Sequence, residues 1–135
     1  MNLTSKSDIK ELLKKYNAKP EKYLGQHFIL SKKALNKMIE AAEIKKTDTI
    51  IEIGPGLGTL TGELAKTGAN IIAIEKDPLM IEILKETLSD FKNIKVTQAD
   101  ARKTPLPPPN LSGFRYRVKR GKDVDKFNKY NNKYG

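Results

Sequence analysis

The sequence predicts an α/β fold built on a parallel, doubly wound sheet, and three observations lead there. Thr49-Ile50-Ile51-Glu52-Ile53 and Asn70-Ile71-Ile72-Ala73-Ile74-Glu75 are short, β-branched and apolar almost throughout, the pattern of strands buried on both faces. The first runs straight into a glycine-rich turn, Gly54-Pro55-Gly56-Leu57-Gly58. Amphipathic segments of helical periodicity alternate with the strands, so strand, helix, strand, helix, strand specifies a βαβαβ unit with right-handed crossovers.

The elements follow in order. Asp8 and Glu11 have capping-box spacing around Ile9, Leu12, Leu13 and Tyr16, which predicts an amphipathic helix over about residues 8–17, ended by Pro20. Tyr23 to Leu30 is an aromatic and aliphatic loop, after which Ser31 caps a helix with Ala34, Leu35, Met38, Ile39 and Ala42 on its apolar face. Past the first strand and its turn, Leu60, Leu64 and Ala65 mark a helix over 59–66 that Gly68 stops. Asp77-Pro78 opens the next helix, with Met80, Ile81, Leu84 and Leu88 inward, and Asn93 to Gln98 is the third strand, closing at Asp100.

Beyond Asp100 the pattern stops. Thr104-Pro105-Leu106-Pro107-Pro108-Pro109 cannot donate to a ladder at its prolines, so no fourth central strand is expected and the outer edge of strand 49–53 should be bare. Such an edge invites self-association or a complementing chain. Residues 113–135 are basic, Asn-rich and poor in aliphatics, and read as mostly disordered. The chain therefore divides into N-terminal helices and a cofactor-contacting loop (1–48), a βαβαβ half-domain (49–101), and a Pro-rich linker with a basic tail (102–135).

Composition narrows the chemistry. The chain has 135 residues, 38% hydrophobic and 31% charged, enough for one modest core, and a mean hydropathy of −0.56. No apolar run approaches the ~18 residues of a membrane helix, and Lys6, Asp8, Lys10 and Glu11 leave no signal-peptide core, so a cytoplasmic chain without a membrane partner is expected. The absence of Cys removes disulfides, thiolate zinc sites and cysteine nucleophiles, and a single His27 builds neither a histidine metal site nor a triad. The net charge of +10 suggests an anionic partner, but residues 1–101 hold 16 basic and 14 acidic side chains, against 10 and 2 in residues 102–135. The basicity belongs to the tail.

Glycine turns at the carboxyl ends of parallel strands let backbone approach a ligand closely. A dinucleotide fingerprint needs a third glycine where Thr59 stands, and no GKS or GKT supports a nucleoside triphosphate. What remains is Glu52 followed by Gly54, Gly56 and Gly58, with Glu75 closing the second strand and Asp100 the third. Glu75 suits a ribose diol, Asp100 an adenine amine, and Glu52 an α-ammonium. Together they fit a nucleoside with an amino-acid tail and no phosphate, S-adenosylmethionine. Either Glu75 or Asp100 alone could equally cap a turn; their placement at successive strand ends favours the ligand.

Tyr23 to Leu30 (YLGQHFIL), Ile51 to Thr61 (IEIGPGLGTLT), Ile72 to Asp77 (IAIEKD) and Gln98 to Ala101 (QADA) resemble, in order and spacing, the ribosomal RNA adenine dimethyltransferases over about residues 8–101. The resemblance implies a Rossmann-like class I methyltransferase fold, of which this chain carries the N-terminal half. It implies that His27 and the Ile29 backbone contact the methionine end of S-adenosylmethionine, that Gly54 lies against the cofactor, that Glu75 holds its ribose and Asp100 its adenine. A satisfied loop histidine is the plainer alternative for His27. The implied function is transfer of methyl groups to adenine N6 of small-subunit rRNA, with rRNA or a ribosomal subunit precursor as partner.

The family's catalytic loop, Asn-(Leu/Ile/Pro)-Pro-(Tyr/Phe), follows a fourth strand roughly twenty residues beyond Asp100, where it orients a flipped adenine toward the methyl group. The nearest candidate, Asn110-Leu111-Ser112-Gly113-Phe114, lacks the proline and displaces the aromatic, so Asn110 is not read as a working catalytic residue and the chain reads as truncated before that loop. Two further readings stand beside the first: a large-subunit rRNA adenine methyltransferase of the resistance type, and a non-catalytic RNA-binding protein or inactive fragment. The non-catalytic reading would use Arg115, Arg117, Lys119 and Arg120 on phosphates, with Phe114 and Tyr116 on bases. A solvated tail is the plainer alternative for that run.

Overall fold

The computed structural model describes residues 3–19, 31–103 and, as backbone, 114–118. The elements are α1 (Lys6–Lys15), α2 (Lys32–Ala42), β1 (Thr49–Ile53), α3 (Thr59–Ala65), β2 (Asn70–Glu75), α4 (Pro78–Thr87), β3 (Ile94–Gln98) and β4 (Phe114–Val118). Among the described residues no helix is long and apolar enough to cross a membrane.

Helix α1 starts earlier than expected because Ser5, not Asp8, is its cap, with Oγ accepting the Asp8 N–H at 3.4 Å. It also ends by its own means rather than at Pro20. Asn17 turns left-handed (φ 53°) and closes a Schellman motif, Asn17 N–H to Lys14 C=O at 3.0 Å and Ala18 N–H to Leu13 C=O at 2.8 Å. Ser31 caps α2 as expected, its Oγ accepting the Ala34 N–H at 3.1 Å. Asp77 does the same for α4, its Oδ1 accepting the Leu79 N–H at 2.9 Å with Pro78 in the first turn.

Among the described residues the sheet has four strands in the order β3-β2-β1-β4, every neighbouring pair parallel. Strands β1 and β2 have the expected bounds. The fourth strand overturns the expectation of a bare edge on β1: Phe114–Val118 pairs along all of β1, from Thr49↔Phe114 to Ile53↔Val118. The proline run bars a strand only as far as Pro109. The segment after it, Phe-Arg-Tyr-Arg-Val, alternates β-forming residues with arginine at strand periodicity, which its basic composition conceals. Among the described residues the sheet edges are β3 and β4, and β1, paired on both sides, offers no edge for self-association.

Alternation along β1 and β2 divides the core. Ile50 and Ile71 join Leu35 of α2 and Leu60, Leu64 and Ala65 of α3 in one buried cluster. On the opposite sheet face Ile51 and Ile74 pack with Ile53, Ile72, Ala99 and Ala101. A separate cluster seats α1 on the glycine turn: Ile9, Leu12, Leu13 and Ala18 surround Leu57 together with Met80 and Ile83 of α4. The Thr87 hydroxyl donates to the Leu57 carbonyl at 2.9 Å, and Lys15 of α1 ion-pairs with Glu86 of α4. The turn after β1 is thus clamped between two helices through one fully buried leucine. Replacing it, Leu57→Ala, should cost about 2–5 kcal/mol of unfolding free energy by urea titration, with the lower figure if α1 collapses into the space.

Candidate functional site

Chain direction locates the site. Strands β1, β2 and β3 step one way across the sheet, and β4 returns to the other side of β1, so the order reverses beside β1. In open α/β sheets ligands bind outside the carboxyl ends of the strands at such a reversal. Two backbone hydrogen bonds align those ends: Gly54 N–H to Ile74 C=O at 2.9 Å and Ala99 N–H to Glu75 C=O at 3.0 Å. Gly54, Glu75 and Asp100 therefore follow one another along the rim, roughly 5 Å apart per strand.

The glycines of the turn have different duties. Gly54 is left-handed (φ +66°), and a Cβ added there would meet nothing within 4 Å, so open space lies directly over the end of β1. Gly58 (φ +88°) faces the protein instead: an added Cβ would stand 3.0 Å from Leu88 Cδ2 and 3.1 Å from Leu84 Cδ2 and Thr87 Oγ1. Gly58 lets the turn approach α4. Gly56 is also left-handed (φ +61°).

The carboxylates are each held by the fold. Glu52 is fully buried and accepts the Thr61 hydroxyl of α3 on Oε2, which ties the end of β1 to the helix after the turn. Glu75, 9% exposed, accepts the Lys76 and Asp77 N–H groups on Oε1, both at 3.1 Å. Turn-capping, the plainer alternative for Glu75, is thus real for this one oxygen, and it fixes the carboxylate at the strand end. Asp100 takes three donors from Arg102: N and Nε on Oδ1 at 3.0 and 3.2 Å, and Nη2 on Oδ2 at 3.0 Å. Those hydrogen bonds hold the Asp100 carboxyl down at about 2. Arg102 was missed by sequence reasoning, although Asp-x-Arg is a spacing at which a guanidinium reaches back to an aspartate.

His27, Ile29, Asn110, Lys119 and Arg120 lie outside the described residues. In chain order Asn110 comes before β4, whereas the catalytic loop expected from the resemblance follows that strand. Arg115 and Arg117 belong to β4, in register with Ile50 and Glu52, and not to a disordered arm.

The sequence profile of "Ribosomal RNA adenine dimethylase" matches residues 17–130. The chain belongs to that family. It is 44% identical over 114 residues to the probable ribosomal RNA small subunit methyltransferase A of Thermococcus sibiricus, covering 83% of this chain and 41% of that protein. It is 43% identical over 104 residues to the ribosomal RNA small subunit methyltransferase A of Clostridioides difficile, covering 77% and 36%. Among solved structures, a dimethyladenosine transferase from Plasmodium falciparum superposes with TM-score 0.58 at 30% identity, over 72% of this chain and 35% of the other. A 23S rRNA methyltransferase superposes with TM-score 0.54 at 35% identity, over 58% and 32%. The chain thus spans well under half the length of these relatives, and its α/β half is the Rossmann-like part they share.

The Asp100–Arg102 pair has a pH signature. Because the folded carboxyl titrates below its ordinary range of roughly 4, the pair stabilises the fold above that range and the contribution fades as pH falls toward about 2. Carbon-detected NMR titration should place Asp100 below the ordinary aspartate range, and Arg102→Ala should return it toward that range.

Proposed function

We propose that this chain is the cofactor-binding part of an S-adenosylmethionine-dependent adenine N6-dimethyltransferase of small-subunit rRNA, with rRNA or a ribosomal subunit precursor as its partner. The observation that carries the reading is the open space at Gly54 on a rim shared with Glu75 and Asp100. The donor set fits: carboxylates that accept, and a backbone with no Cβ in the way. When bound, S-adenosylmethionine supplies an electrophilic methyl group on sulfur. Gly54 gives its methionine end room, with His27 and the Ile29 backbone assigned there by family resemblance. Glu75, oriented through Oε1, offers Oε2 to the ribose hydroxyls, and Asp100 accepts from the adenine amine while Arg102 holds its carboxylate in place. Glu52 either meets the α-ammonium or acts only through Thr61, and the burial of its side chain favours the second role.

Small-subunit rRNA is favoured over the large subunit because the small-subunit relatives match at 43–45% identity over 70–83% of the chain, against 35% over 58% for the 23S enzyme. Transfer itself requires a group that points adenine N6 at the methyl. After Val118 the chain reads Lys119-Arg120-Gly121-Lys122 in place of an Asn-x-Pro-aromatic loop, so this chain is expected to bind the cofactor without turnover.

Calorimetry should detect S-adenosylmethionine binding and none of NAD; the reverse preference overturns the reading. Glu75→Ala should weaken binding by roughly 1–3 kcal/mol, and an unchanged affinity removes the ribose assignment. With labelled methyl donor and small-subunit particles, the purified chain should form no detectable N6-methyladenine. Product formation that Asn110→Ala abolishes would show that Asn110 is a catalytic residue after all.

A further inference from the structure

We propose that a row of exposed lysines on α1, Lys6, Lys10 and Lys14, is a phosphate-contact surface for the RNA substrate, an inference that rests on the rRNA-methyltransferase reading above. The four-residue spacing sets the three ammonium groups along one flank of the helix, and all three residues are exposed. Like charges at that spacing work against the helix, and Lys6 in the first turn also opposes its dipole; of the three only Lys14, in the last turn, is favoured there. None of the ion pairs among the described residues engages it. Lys15, on the other flank, pairs with Glu86 and stands 5.7 Å from the Tyr16 ring centroid, which is how a lysine on this helix looks when the fold employs it.

Charge segregation makes the same point on a larger scale. Residues 1–48 carry eleven lysines against six carboxylates, whereas residues 49–101, which build the cofactor rim, carry five against eight. An RNA drawn toward that acidic rim needs cations beside it, and α1 is the element seated on the glycine turn through Ile9, Leu12, Leu13 and Leu57. The row therefore sits on the helix whose buried face grips that turn.

The test measures affinity of the full chain for a fluorescein-labelled RNA hairpin by anisotropy across a series of KCl concentrations. The triple variant Lys6→Gln, Lys10→Gln, Lys14→Gln should lose about tenfold or more in affinity at low salt, and its slope of log affinity against log salt should be shallower by about 2 to 3. Glutamine keeps helix propensity and relieves the repulsion, and the single variant Lys10→Gln, with a slope shallower by about 0.7 to 0.9, serves if the triple does not fold. A control triple, Lys85→Gln, Lys92→Gln, Lys95→Gln, removes the same charge from exposed sites on the acidic half and should leave the slope near wild type. Equal effects of the two triples, or a slope unchanged by the α1 variants, overturn the proposal. Calorimetry with S-adenosylmethionine on the unaltered chain separates the two readings: absence of cofactor binding there defeats the proposed function, whereas an unchanged RNA slope with cofactor binding intact defeats only the lysine row.

Discussion

The site depends on β1 being held by ladders on both edges. A strand paired to β2 on one side and β4 on the other has its backbone polar groups satisfied in both directions, so the point at which the chain leaves the sheet is set. Gly54 departs from that point with its N–H already committed to Ile74. The turn then has to travel over the sheet end, and Leu57, buried among α1 and α4, decides where it comes down. The open space at Gly54 persists because both ends of the turn are anchored and neither can sag into it.

The same economy governs the carboxylates. A charged group near the core needs partners, and each strand-end acid finds one close by: Thr61 for Glu52, the following turn for Glu75, Arg102 for Asp100. These contacts orient the oxygens before any ligand arrives, so little ordering remains to be done on binding. Structural and ligand roles are therefore not rivals at Glu75, since the backbone contacts on Oε1 hold the group that presents Oε2.

Most of this was legible in the sequence because it rests on periodicity and local chemistry. The runs Thr49–Ile53 and Asn70–Glu75, the glycine turn and the Asp77-Pro78 start are all local signals, and they place Gly54, Glu75 and Asp100 at successive strand ends. What escaped were features decided by competition or at a distance. Ser5 outcompetes Asp8 as a cap because its hydroxyl reaches the Asp8 amide. Strand β4 was hidden by averaging composition over a stretch in which only Phe114–Val118 alternates. Gly58 looked like its neighbours until Leu84 and Leu88 showed which side it faces. Arg102 matters through one carboxylate two residues away, a contact no periodicity announces.

The late arrival of β4 has a consequence for how the chain folds. Pairs β1·β2 and β2·β3 join segments connected by single helices, so their closure costs little chain entropy. Phe114 pairs with Thr49 across the whole βαβαβ unit, the most non-local pairing of the sheet, and β4 is held along one edge only. The βαβαβ core can therefore assemble first and recruit β4 last, which puts that strand, with the other edge strand β3, at the less protected end of the sheet in hydrogen exchange. The strand that fixes one side of the candidate site would then also be the one through which it opens.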